Sequence, residues 1–153
     1  MILNLWSVAL GYYGLAIVSA VLPWVNAELL MMSAVPVAGS RGALAVLVTA
    51  VSAGQMTGKA IMYWASRKST GRRSPLVQGA IDRWRARLQQ RPRSVLVVTF
   101  LSALVGFPPF FIVSVVAGAL GVSFPRFLAI GAVGRLMHFT IVAYLPDLIW
   151  RTL

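Results

Sequence analysis

The 153-residue chain has no cysteine, a single histidine and three acidic residues, Glu28, Asp82 and Asp147. Without cysteine it can form neither a disulfide nor a thiolate metal site, and His138 alone cannot supply a histidine metal cluster. The three carboxylates are too scattered for a paired-carboxylate site, and no serine, histidine and acid arrangement or phosphate-binding loop is present. No enzyme, metal or cofactor function is expected. Charge as a whole is scarce: 11% of residues are charged and 59% are apolar, against roughly a quarter charged in soluble domains.

What charge there is has one sign and one place. The formal net charge is +11, and nine of the fourteen basic residues fall between Arg67 and Arg93. Long apolar stretches surround that segment, at 5–38, 41–66, 94–122 and 124–150. Basic residues confined to one loop between apolar runs follow the positive-inside pattern, not the footprint of nucleic acid. The segment is therefore expected on the cytoplasmic side. The first residues lack the basic region of a secretory signal, so the N-terminal stretch reads as mature structure.

Residues 41–66 and 124–150 are each long enough to cross a hydrocarbon core of about 30 Å as one helix. The second is expected to close at Pro146, where Asp147 and Arg151 have the i, i+4 spacing of an ion pair. The stretch 94–122 differs, because Gly106-Phe107-Pro108-Pro109 interrupts it and adjacent prolines cannot sit inside a regular helix. Each arm is then about 14 residues, or roughly 20 Å, too short to cross. A re-entrant hairpin is expected. The first stretch repeats this design, with Leu5 to Leu22 leading to Pro23 and a second arm, Trp24 to Val37, carrying Asn26 and Glu28. Whether 5–38 is a re-entrant hairpin or includes a full span is left open.

Each half thus reads as a hairpin followed by a span. Pro23 through Ala34 can be laid beside Pro108 through Gly118, and Gly54-Gln55-Met56 beside Gly134-Arg135-Leu136. With the basic segment cytoplasmic, the halves run in opposite directions, as in the inverted repeats of transporters. The expected fold is an all-α integral membrane domain with two re-entrant helical hairpins, two or more transmembrane helices and a basic amphipathic connecting helix. Its parts are a first half-repeat (1–66), a basic segment (67–93) and a second half-repeat (94–153). Within the basic segment, Ser74-Pro75 is a good helix start. Val77, Ile81, Trp84 and Leu88 share one face of that helix, with Arg83, Arg85, Arg87 and Arg91 around the rest. It reads as an interfacial helix touching anionic lipid, or as a solvated connector.

Ionised groups at membrane depth are costly unless paired or wetted, which makes them functional candidates. Glu28 could exchange protons or bind a cationic head group, and Lys59 is a candidate partner or an interfacial lysine. Arg135 and His138, one turn apart, could hold a phosphate; His138 could equally be a hydrogen-bonded packing residue. Asn26 and Gln55 are candidates for a cavity lining or for helix–helix hydrogen bonds. Pro23, Pro108 and Pro109 break their helices and free carbonyls that only protein or water can satisfy at this depth. Gly54-x-x-x-Gly58 reads as close helix packing.

The segments LPWVNAELLMMSA, GQMTGKAIMYWASR and GFPPFFIVSVVAGALGVSFPRFLAIGAVGR resemble the DedA superfamily, also called the SNARE-associated Golgi protein or VTT-domain family. The recurring family positions look like Pro23, Glu28, Gly54, Gly58, Tyr63, Arg67, Pro108, Pro109, Ala117 and Gly118, the last a further packing glycine. Three departures stand out: Lys59 where an acid often follows the glycine, no arginine around Phe107 to Phe111, and Ser40 near the place of a second loop acid. The resemblance implies lipid translocation of a flippase or scramblase kind, with phospholipid or polyprenyl phosphate as substrate, in a bacterial cytoplasmic membrane. Its partners would be membrane lipids, anionic head groups among them, and a homo-oligomer is left open. An ion-coupled exporter of small solutes and a non-transporting membrane adaptor remain as alternatives.

Overall fold

A backbone that leaves water must satisfy its own hydrogen bonds, and each long apolar stretch of this sequence does so as helix. The computed structural model describes residues 2–22, 24–69, 75, 78, 79, 81–83, 86 and 92–152, with backbone only at 2, 3, 92, 93 and 146–152. Among the described residues, six continuous helices follow in order: α1 (Ile2–Val21), α2 (Ala27–Ala38), α3 (Arg41–Lys68), α4 (Pro92–Val105), α5 (Phe110–Leu120) and α6 (Phe124–Thr152). Among the described residues there is no strand.

The helix ends have local causes. Asn26 caps α2, and Gly39, in the left-handed region at φ 65°, ends it. Ser40 Oγ then accepts the Ala43 N–H at 3.1 Å and opens α3. Gly106, at φ 83°, ends α4. Gly121 closes α5 with its own N–H bonded to the Gly118 carbonyl and that of Val122 to the Ala117 carbonyl, a Schellman arrangement. α6 does not close at Pro146 as the sequence suggested but continues to Thr152. The side chains of Asp147 and Arg151, and hence their expected pair, lie outside the described residues.

α1, α3 and α6 contain stretches long and apolar enough to cross a membrane: Asn4–Val21, Arg41–Lys68 and Phe124–Leu145. α2, α4 and α5 are apolar but shorter. The question left open for 5–38 is thereby divided, since α1 has the length of a span and α2 does not. Leu10, Leu15, Ile61, Val97, Val133 and Ile141 are exposed, which suits a surface against lipid rather than water.

Two compact units make up the fold, one of Met1–Gly58 with Arg135–Leu153, the other of Lys59–Gly134. In the first, Ala16, Met31, Ala34, Leu47, Val51 and Phe139 are fully buried. α1 and α3 meet at glycine. A Cβ on Gly54 would lie 2.3 Å from the Tyr13 carbonyl oxygen and 2.8 Å from Ala16 Cβ, and one on Gly58 2.4 Å from Ala20 Cβ. Where lipid replaces water, helices associate through such close packing and through hydrogen bonds. Gln55 supplies the latter, its Nε2 donating to the Ala16 carbonyl (3.2 Å) and to Ser19 Oγ (2.5 Å).

The second unit is built on Tyr63, which is fully buried. Its ring stacks on Phe127 at 5.2 Å, Phe110 lies 6.0 Å from Phe127, and Phe124 sits 5.2 Å from Tyr63. Gly118 of α5 presses on the Tyr63 backbone so closely that a Cβ would fall 2.1 Å from its carbonyl oxygen. Gly134 of α6 does the same against α4, meeting Ala103 Cβ at 2.7 Å and the Phe100 carbonyl oxygen at 3.2 Å. At the break between α4 and α5, Ser102 Oγ donates to the Pro108 carbonyl.

Of the basic segment, the described residues are helical apart from Ser69. Ile81 is buried, and exposed Arg83 donates from Nε to the Gly79 carbonyl at 3.1 Å. Arg85, Arg87, Arg91, Ser74, Val77, Trp84 and Leu88 lie outside the described residues.

Candidate functional site

The first turn of α2 brings an acid to α6. Asn26 stands just before that helix with its Oδ1 accepting the N–H groups of Glu28 (2.8 Å) and Leu29 (3.2 Å). This cap fixes the turn on which Glu28 sits, and the positive end of the helix dipole favours a carboxylate there. Glu28 Oε1 lies 3.2 Å from His138 Nε2.

His138 is held in turn by its own helix. Its ring meets that of Phe139 edge-on at 5.1 Å. One turn earlier, the buried guanidinium of Arg135 lies 5.7 Å from the Phe139 ring centroid, within reach of a cation–π contact. Glu28 interacts electrostatically with both Arg135 and His138. Three of the site residues expected from sequence are therefore together in the first unit. Their exposure differs in a way that matters: the Glu28 side chain is 44% exposed and that of His138 13%. The carboxylate is the open member of the cluster, backed by two groups able to carry positive charge.

Such an arrangement can do two things chemically. A carboxylate hydrogen-bonded to an imidazole can pass or store a proton. A carboxylate beside a guanidinium offers one partner for an amine and one for a phosphate. Among the described residues no group of three or more histidines, cysteines or acids could hold a metal ion.

The remaining expected residues are placed as follows. Asn26 caps α2, and Gln55 is buried between α1 and α3 on the bonds given above. Lys59 is buried and begins the second unit. Pro109 precedes α5 as its N-cap, Pro108 has its carbonyl bonded by Ser102, and Pro23 lies outside the described residues. Gly54, Gly58 and Gly118 each stand at a backbone contact.

Sequence reasoning missed the roles of Ser19, Ser102 and Gly134. Serine is common in membrane helices, and which serine meets a freed carbonyl depends on the path of the chain. It also missed that Tyr63 and Arg67 bond to each other, with Arg67 Nη1 donating to Tyr63 Oη at 2.7 Å. Their i, i+4 spacing was the available signal.

No curated protein and no solved structure matches the chain. A family model described as the VTT domain matches residues 22–148. The match takes in α2, α3, α4 and α5 whole and α6 as far as Leu148, with Glu28, Arg135 and His138 inside it. By that match over most of its length, this all-helical membrane protein belongs to the VTT domain family, the family of the DedA and SNARE-associated Golgi proteins.

Proposed function

We propose that this chain moves lipid head groups across the bilayer, with Glu28 and Arg135 as the pair that receives them. The observation that carries this reading is the Glu28, His138 and Arg135 cluster inside otherwise apolar helices. Charge at such a place costs several kcal/mol unless it is paired or wetted. Here the pairing leaves the carboxylate partly open. An amine of a zwitterionic head group suits Glu28, and a phosphate suits Arg135.

In this reading the short helices are re-entrant arms. α4 has 14 residues and α5 has 11, so they rise only about 16–21 Å against a core of about 30 Å. α2, with 12 residues, plays the same part after α1. An inverted repeat is supported by the glycine contacts. Gly54 of α3 meets Tyr13 and Ala16 of α1, and Gly134 of α6 meets Phe100 and Ala103 of α4. In both cases the contacted pair is spaced i, i+3 on the helix that opens its half, and the two glycines are those aligned by sequence. The basic segment, with exposed Arg83, would hold the cytoplasmic side against anionic lipid.

Reconstitution into liposomes with fluorescent phosphatidylethanolamine or a labelled polyprenyl phosphate tests the proposal. Leaflet exchange should exceed that of protein-free liposomes and fall at least about tenfold in Arg135→Gln, the loss of a charge-assisted contact. Unchanged leaflet distribution for every lipid class would end the reading. The hydrogen bond between Glu28 and His138 favours one variant of it, in which a proton moves with the cargo, lipid or small solute. Transport indifferent to pH and to Glu28→Gln would remove that variant.

A further inference from the structure

The last turn of α3 carries a second built arrangement, unrelated to Glu28. Arg67 and Lys68 are exposed there, and Trp64 is partly exposed beside them. Arg67 is held from two sides. Its Nη1 donates to Tyr63 Oη at 2.7 Å, and its guanidinium carbon lies 5.5 Å from the Trp64 ring centroid and 5.9 Å from that of Tyr63.

The acceptor that holds it cannot drift. Tyr63 is fully buried, stacked on Phe127 and pressed by Gly118, and its own hydroxyl proton goes to the Val122 carbonyl. With that proton committed, the phenol oxygen accepts from Arg67. Phe124 packs against both Tyr63 and Trp64, which fixes the indole as well.

Surface arginines usually keep their rotamer freedom, and immobilising one is a cost of binding. Here the fold has already met that cost. One N–H of the guanidinium is used on Tyr63, and the rest of its planar fork remains for an oxyanion, the geometry that matches phosphate. The helix C-terminus contributes about half a negative charge, which two adjacent cations outweigh. Trp64 marks the level at which aromatic residues sit, the boundary between hydrocarbon and head groups. An exposed cation fixed at that level faces lipid phosphates.

We propose that Arg67, positioned by Tyr63 and Trp64 and assisted by Lys68, is a binding site for the phosphate of an anionic phospholipid head group where the chain leaves the α3 span. The site lies in the second unit and stands whether or not the chain transports lipid.

Native mass spectrometry of the whole chain, released from micelles holding equal phosphatidylglycerol and phosphatidylcholine, reads the site directly. Wild type should retain phosphatidylglycerol in excess. Arg67→Gln should lower that excess by about tenfold, and Arg67→Lys, which keeps the charge but loses the fork, by about threefold. Tyr63→Phe leaves every charge in place and removes the oxygen that holds Arg67, together with its bond to the Val122 carbonyl, so an intermediate loss of about threefold in folded protein identifies positioning. Equal retention by wild type and Arg67→Gln overturns the site. Should Arg67→Gln not fold, unchanged retention in both Tyr63→Phe and Arg67→Lys overturns it instead. Displacement of the lipid by millimolar inorganic phosphate would assign the pocket to a free anion and overturn the head-group proposal.

Discussion

The two units use the same device to bring helices together and different chemistry to fill the space that results. In both, glycine lets one backbone touch another, Gly54 and Gly58 against α1 in the first, Gly118 against Tyr63 and Gly134 against α4 in the second. Around these contacts the first unit buries Gln55 and Arg135 and holds the Glu28–His138 hydrogen bond, while the second stacks Tyr63, Phe110, Phe124 and Phe127. Close packing is thus the common condition of stability in a medium where the hydrophobic effect between helices is lost. The half-open acid cluster is an addition to it, found among the described residues in the first unit. Under the proposed function the first unit would receive the transported group, and under the further proposal the second would be the frame on which an interfacial arginine is fixed.

The strongest way to break the comparison is to block the shared device. Gly118→Leu and Gly54→Leu should each abolish folded protein, because the first added carbon already falls within 2.1–2.3 Å of a backbone oxygen that cannot yield. The yield of monodisperse protein in detergent checks this. Gly11→Ala is the control, since nothing lies within 4 Å of its added carbon, and helix propensity alone should raise stability by up to about 1 kcal/mol. A smaller loss is expected when only the aromatic filling is removed. Phe127→Ala, which deletes a fully buried ring, should cost about 3–5 kcal/mol, read from chemical denaturation.

Smaller again is Asn26→Ala. It removes the oxygen that accepts two N–H groups at the start of α2 and should cost about 1 kcal/mol. Transport should fall with it, because the same turn aims Glu28. An effect of similar size, about 1 kcal/mol, is expected from Glu28→Gln, because the amide oxygen can still accept a hydrogen bond while buried Arg135 loses part of its compensating charge. Its effect on lipid exchange should nevertheless be at least about tenfold, the worth of a charge-assisted contact. A Glu28→Gln protein that loses stability as Phe127→Ala does would make the cluster a packing element and erase the distinction between the units.

Much of this is legible in the sequence. The stretches 41–66 and 124–150 differ from α3 and α6 by no more than two residues at either end, because length and apolarity govern a long helix, although the close expected at Pro146 was not met. The break at Gly106 to Pro109 was legible for the same reason that proline cannot continue a helix. The candidates Glu28, Arg135 and His138 were found as rare charges in apolar surroundings, yet their meeting was not. Glu28 and His138 are 110 residues apart, and periodicity reports which face of a helix a residue occupies, not which helix that face meets. Asn26 and Gln55 show the same limit from the other side: a polar side chain at membrane depth must have a partner, but only the structure distinguishes a cap from an interhelical bond.

The sequence by itself therefore determined the medium, the helices and their breaks, since these depend on the local chain and on what a backbone can do without water. It determined the scarcity of acid as well, which narrowed the search for a site to very few residues. The tertiary structure decided which glycine closes on which carbonyl, which serine meets the Pro108 oxygen, and that Glu28 meets His138 while Tyr63 holds Arg67. Those pairings depend on how distant helices pack, and packing is decided by shape complementarity summed over many weak contacts, which no short window of sequence contains.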